Sequence, residues 1–263
     1  MSFKKNLIYM FSVVCVTTMF LNAQTPEEKG LEIAIETDKR DMGFGDSSSE
    51  LTMILRDKQG DESTRQMSNK TLEVENDGDK SLVIFNEPRD VKGTAFLSFT
   101  HKSGPDDQWL YLPALKRVKR IASDHKSGPF MGSDFAYEDI SSQEVEKYTY
   151  KYIKDENIDG VDCFVIERYP VDEKSGYTRQ VVWIDIDQYR TMKIDYYDRK
   201  NSLLKTLTYH EYNQYLNKYW RANKMSMVNH QTGKSTDLLF FDYKFANGFS
   251  ESEFNQNSLK RAR

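Results

Sequence analysis

The chain has 263 residues, 38% of them hydrophobic and 30% charged, with 37 Lys and Arg against 41 Asp and Glu. The formal net charge of −4 lacks the basic surplus that binds nucleic acid, so no nucleic-acid partner is expected. The length fits a single β-rich domain.

The first predicted element is a leader. Lys4 and Lys5 precede an almost unbroken apolar run from Leu7 to Leu21, and Leu21-Asn22-Ala23 closes it with a small residue. That is the layout of a secretory signal peptide over residues 1–23, with the run too short and wrongly flanked for a membrane span. Cys15 follows Val13 and Val14 rather than a small residue, which argues against a lipidated cysteine. Residues 24–263 are then one exported domain with a single cysteine, Cys163, and no intramolecular disulfide.

One long helix is predicted. Thr25 reads as an N-cap, Pro26 as the first helical residue, and Glu27 and Glu28 as acids of the first turn, with Leu31, Ala34 and Ile35 as its apolar stripe. "MGFGDSSSE" at residues 42–50 ends it. From Leu51 the signal is β. Runs such as "TLEVENDGDKSLVIF", "GTAFLSFTHK", "VDCFVIERYP", "YTRQVVWIDI" and "TDLLFFDYKF" are separated by turn clusters, including Asn76-Asp77-Gly78 and Ser175-Gly176. About eleven strands result, at the spacing of an all-β sandwich or barrel.

The strand faces limit the architecture. In the last strand, simple alternation puts Leu239, Phe241, Tyr243 and Phe245 on one face. In "YTRQVVWIDI", Val181 and Trp183 alternate with Val182 and Ile184, so both faces are apolar. A sheet of this kind needs a cover. A mainly β fold, an incomplete antiparallel barrel wrapped around a few helices, supplies it. The 34 aromatic residues then either fill the core or line a ligand cavity.

Catalytic patterns are absent from the sequence. His101, His125, His210 and His230 form no H-x-x-H or H-E-x-x-H pair, and there is no G-x-S-x-G elbow, P-loop or dinucleotide turn, so neither enzyme activity, metal nor cofactor is expected. Cys163 shares a strand face with Val161 and Val165 and reads as a small buried hydrophobe rather than a nucleophile. Asp185 and Asp187 end a strand, where Asp stabilises turns.

Two neighbouring stretches carry more. Lys116, Arg117, Lys119 and Arg120 lie on both faces of an extended "LKRVKRI". They read either as a solvated edge or as an anion-attracting surface for a headgroup or partner. In "PFMGSDFAYEDI", Gly132 allows a sharp turn and Ser133 or Asp134 can cap a short helix bearing Phe135, Tyr137 and Ile140. This segment is either a structural plug or a lid.

"DQWLYLPALKRVKRI" followed by "PFMGSDFAYEDI", with "DGVDCFVIERYP" and "VVWIDIDQYRTMKIDYYD" in order, resembles the outer-membrane lipoprotein-sorting protein family. These are periplasmic relatives of LolA and LolB, often associated with RND-type exporters, and the resemblance spans residues 30–260. It implies a LolA-like half barrel whose apolar cavity holds a lipid or lipoprotein acyl chain for transport to the outer membrane, in the periplasm of a Gram-negative bacterium. An accessory protein docked on an exporter or an outer-membrane partner is the alternative it leaves. The matching positions are Trp109, Tyr111, Leu112, Pro113, Lys116, Arg117, Arg120, Phe130, Met131, Gly132, Ser133, Asp134, Phe135, Tyr137 and Asp139. The expected ligand wall is therefore Trp109, Tyr111, Leu112, Phe130, Met131, Phe135, Tyr137 and Trp183. The expected headgroup or partner surface is Lys116, Arg117, Lys119 and Arg120, and the gate is Gly132, Ser133 and Asp134.

Overall fold

The computed structural model describes residues 24–261; the expected leader lies outside them. Helix α1 spans Pro26–Asp41, starting at a capping box in which Thr25 and Glu28 each accept the other's backbone N–H. Its buried face differs from the expected stripe. Gly30, Ile33 and Ala34 are buried, while Leu31 and Ile35 are exposed. Gly30 explains the rotation: a Cβ there would sit 2.7 Å from the backbone nitrogen of Tyr152. The helix can therefore press its glycine onto the strand that contains Tyr152.

Thirteen strands follow among the described residues, two more than expected. They are β1 (Asp46–Arg56), β2 (Glu62–Leu72), β3 (Lys80–Glu87), β4 (Ala95–Phe99), β5 (Asp107–Leu112), β6 (Arg117–Ile121), β7 (Tyr148–Ile158), β8 (Val161–Pro170), β9 (Tyr177–Asp185), β10 (Thr191–Asp198), β11 (Leu203–Tyr215), β12 (Tyr219–Asn229) and β13 (Ser235–Phe245). The additions are β5 and β6, which form a hairpin around Pro113–Leu115. A short helix α2, Gln256–Arg261, ends the described chain.

All thirteen belong to one antiparallel sheet that does not close, in the order β6-β5-β4-β3-β2-β1-β13-β12-β11-β10-β9-β8-β7. Two meanders, β1–β6 and β7–β13, are joined by the β1–β13 pair. This topology has a consequence for residues 122–147, because β6 and β7 are opposite edges. The connection must cross the whole sheet, and it does so through the concave side, where Phe130 and Phe135 join a core with Met53, Met67, Phe85, Phe96, Val182, Leu207 and Met227. Helix α2 covers the other face of β4–β6, where its Leu259 and the preceding Phe254 pack with Leu97, Trp109 and Tyr111.

The last strand does not keep simple alternation. Asp242 adopts a left-handed φ of 52°, and the β1–β13 register shifts there, as at a bulge. Leu238 and Phe240 face the core before it. Tyr243 faces the concave side after it, stacked 6.0 Å from Phe240.

Candidate functional site

The concave side has an open half and a filled half. The open half is a cavity of about 1310 Å³ between α1 and strands β7–β13. Inward-facing residues in register build its floor. Ile166 pairs with Val182, and Val182 with Ile194. Ile184, Tyr209, Tyr212, Met225 and Tyr243 extend it, and Ala34, Thr37 and Asp38 of α1 form the roof. The next rung toward the filled half is polar and aromatic. Tyr150 pairs with Arg168, Arg168 with Gln180, Gln180 with Tyr196 and Tyr196 with Lys205.

The rim is charged. Asp79 and Glu144 line it with Asp38, Glu73, Asp41 and Lys102. Burial, reinforced by Glu73 and Asp41, pushes the Asp79 carboxyl up to about 7. Burial, with Asp79 and Asp38 nearby, does the same for Glu144. Near neutral pH this rim therefore carries less negative charge than its composition suggests. A second cavity of about 490 Å³ adjoins the first through Lys102, Ser142 and Gln143 and is lined by Tyr148, Tyr177, Gln180 and Tyr196.

The filled half is occupied by the crossing segment. Phe130 packs 5.2 Å from Phe96 and 5.5 Å from Tyr137, ring centre to ring centre. Side chains from four strands fasten the segment. Arg65 donates to the Met131 carbonyl. Thr236 Oγ1 accepts from Asp134 N at 3.1 Å and donates to Asp134 Oδ2 at 3.0 Å. Lys205 Nζ donates to Asp134 O at 2.9 Å and to Asp139 Oδ2 at 2.6 Å, and Tyr177 OH donates to Asp139 Oδ1 at 2.8 Å. The Lys205–Asp139 pair is 3% exposed at each side chain.

None of the eight residues expected to form the ligand wall lines either cavity. Leu112, Phe130, Met131, Phe135 and Tyr137 belong to the core on the concave side, in its filled half. Trp109 and Tyr111 point the other way, under α2, with Trp109 5.1 Å from Phe99. Trp183 also faces outward, beside Cys163 and Val165; its indole donates to Glu156 at 2.6 Å and Lys193 lies 4.1 Å over its ring. Both corrections follow from strand phase, because the neighbours Leu110, Val182 and Ile184 take the inward positions. The expected gate residues lie on the crossing segment. Gly132 turns at φ 80°, Ser133 is buried and caps the Phe130 carbonyl at 2.7 Å, and Asp134 is tied to β13.

Lys116, Arg117, Lys119 and Arg120 are all exposed on or beside the edge strand β6, and none lines a cavity. Arg120 pairs with Asp107 on the outward face, while Lys119 and Arg117 stand opposite the inward residues Leu110 and Leu112. Cys163 is fully buried and burial pushes its thiol up to about 11, the opposite of an activated nucleophile.

Sequence reasoning missed Arg168. It shares the inward phase of Ile166, two residues before it, and a cation in phase with a buried apolar residue was the signal to follow.

Comparisons with known proteins agree with this architecture. A family model described as that of an uncharacterized protein matches residues 77–261. A search of curated proteins found no match. A crystal structure of an outer membrane lipoprotein-sorting protein domain from Vibrio parahaemolyticus is 61% identical with a TM-score of 0.88, covering 89% of this chain and 100% of that one. A DUF1329 family protein from Desulfovibrio piger is 31% identical with a TM-score of 0.85, covering 89% and 99%. A LolA superfamily protein from Nitrosomonas europaea shares the fold at a TM-score of 0.70 and 19% identity, covering 87% and 98%. With an unclosed antiparallel sheet, a helix-roofed concavity and these relatives, the chain belongs to the outer-membrane lipoprotein-sorting protein family, DUF1329, with a LolA-like fold.

Proposed function

We propose that the protein is a periplasmic carrier or chaperone that holds a lipid or lipoprotein acyl chain in the cavity beneath α1 and escorts it toward the outer membrane. The observation that carries this reading is the size and lining of that cavity. At about 1310 Å³ it exceeds the usual ~300–1,000 Å³ of a small-molecule pocket. Its floor of Ile166, Val182, Ile184, Ile194 and Met225 offers an acyl chain roughly 0.8 kcal/mol per buried CH₂. Such a chain is held without covalent chemistry, and the same burial opposes its release. Release therefore needs a partner or a conformational change that favours an emptied state. Movement of the segment around Gly132, Ser133 and Asp134 is one route, and it would have to break the ties from Thr236 and Lys205.

Native mass spectrometry of gently purified protein, with lipid extraction, tests the reading. A co-purified amphiphile, lost from a Val182→Phe variant, is the expected result. An empty wild-type protein that takes up no acyl chain would instead favour a docking subunit of an exporter.

A further inference from the structure

We infer that the cavity selects an amphiphile with an anionic head, and that Arg168 is the counter-ion that receives it. The inference rests on the carrier reading and narrows its ligand class. Arg168 lies deep inside the protein, and the exposure it keeps opens on the cavity it lines. Its Nε donates to Gln180 Oε1 at 2.7 Å, and its guanidinium stands 4.6 Å from the ring centre of Tyr148. Its remaining N–H groups have no partner among the described residues, and no carboxylate there forms an ion pair with it. Several other buried or half-buried cations have a carboxylate, Lys205 in Asp139, Arg190 in Asp185 and Arg56 in Asp237, and half-buried Arg65, which lacks one, donates to the Met131 carbonyl of the crossing segment.

An unpaired guanidinium in such a place is costly to keep, since burial of a charge is offset only by an opposite charge and good hydrogen bonds. The Tyr148 ring supplies part of that compensation. Tyr148, Tyr196 and Tyr209 surround the group, and burial raises all three phenols, Tyr209 to about 12. They stay neutral and supply no counter-charge. Tyr209 also lines the cavity, and its hydroxyl has no protein partner among the described residues. The site thus presents a planar fork of donors and a nearby phenol, which fits two oxygens of one oxyanion. Along the strands, Ile166, Val182, Ile194 and Ile184 lie next to it and suit the tail. A carboxylate or a phosphate meets this description; a neutral triacylated head does not.

Titration calorimetry on the mature chain tests the inference with palmitate, its methyl ester and 1-palmitoyl lysophosphatidate. Palmitate is expected to bind tighter than the ester, and Arg168→Gln to weaken palmitate about 10–100-fold while leaving the ester unchanged. Arg168→Lys should keep part of the affinity. The ligand-free Tm of Arg168→Gln should hold or rise, because an unpaired charge has been removed. A preference for palmitate or for lysophosphatidate assigns the head as carboxylate or phosphate. Equal binding of acid and ester, unaltered by Arg168→Gln, overturns the inference and leaves the carrier reading standing. Binding of no probe overturns both. A fall in ligand-free Tm for Arg168→Gln would make Arg168 a structural residue and overturn the inference alone.

Discussion

The two halves of the concave side use one sheet in opposite ways. Over β2–β5 the chain fills the concavity with its own aromatics, and Phe85, Phe96 and Phe130 are at most 1% exposed. Over β7–β13 the same curvature stays open, roofed by α1, with charged residues on its rim. The difference arises from topology. A chain that must run from β6 to β7, the two edges, has to cross the sheet, and its aromatic residues fill the ground it crosses. What the crossing does not cover remains available to a ligand. The most conspicuous aromatic segment of the sequence is therefore structural, and the candidate binding surface lies in strands whose sequence looks ordinary.

Truncation and overfilling break this contrast most sharply. Phe130→Ala in the filled half should cost about 3–5 kcal/mol, because the void is walled by Phe85, Phe96 and Tyr137, and denaturant unfolding measures it. Val182→Phe in the open half enlarges a side chain that lines the cavity but is only 2% exposed, so it should cost about 1–3 kcal/mol, less than Phe130→Ala, while acyl-chain uptake is lost. If both variants lost stability alike, the halves would not differ as described.

A smaller effect sharpens the comparison through pH. Asp79 and Glu144, both raised to about 7 by burial, bind protons in the folded state that the unfolded chain releases near pH 4. Their contribution to stability is complete below pH 4 and is lost as pH rises through about 7. Nearby His101, raised by its hydrogen bond to Asp77, acts in the same direction. The Tm should therefore fall between pH 5 and pH 8 by about 4–8 °C, for a loss on the order of 2 kcal/mol. Asp79→Asn should flatten that slope, as followed by thermal scans across the range. Glu138 of the crossing segment, also raised by burial, acts in the same direction, so Glu138→Gln should flatten the slope as well.

The sequence made the fold class readable because turn clusters and β-rich runs are local signals. Thr25-Pro26-Glu27-Glu28 likewise announced the helix start, and the capping box is present. The helix face was misread because Gly30 packs by lacking a side chain, which no apolar count detects. The faces of Trp109, Tyr111 and Trp183 were misread for a related reason. Both faces of those strands are apolar, so alternation marks two surfaces without telling which one is concave; the docking of α2 decides it for β5. The bulge at Asp242 broke the alternation of β13 by one residue and turned Tyr243 toward the cavity. Arg168 is legible in principle, since it shares the phase of Ile166 in the sequence, but a cation in a strand ordinarily reads as solvent-facing.

The smallest expected effect concerns the edge that precedes the crossing. Arg117, Lys119 and Arg120 are exposed on β6, whose outer backbone groups have no partner strand among the described residues. Charge on such an edge resists pairing with another copy and adds little to stability. Arg117→Glu with Lys119→Glu should therefore shift the Tm by no more than about 1–2 °C and leave palmitate affinity unchanged, because neither residue lines the cavity. If the strand also meets an anionic headgroup or partner surface, the same double reversal should weaken sedimentation of the protein with vesicles containing phosphatidylglycerol, and added salt should erase the wild-type advantage. Loss of vesicle binding with affinity for palmitate intact would separate delivery at the edge from storage in the cavity. Unchanged vesicle binding at low salt would reduce the basic strand to a protected edge.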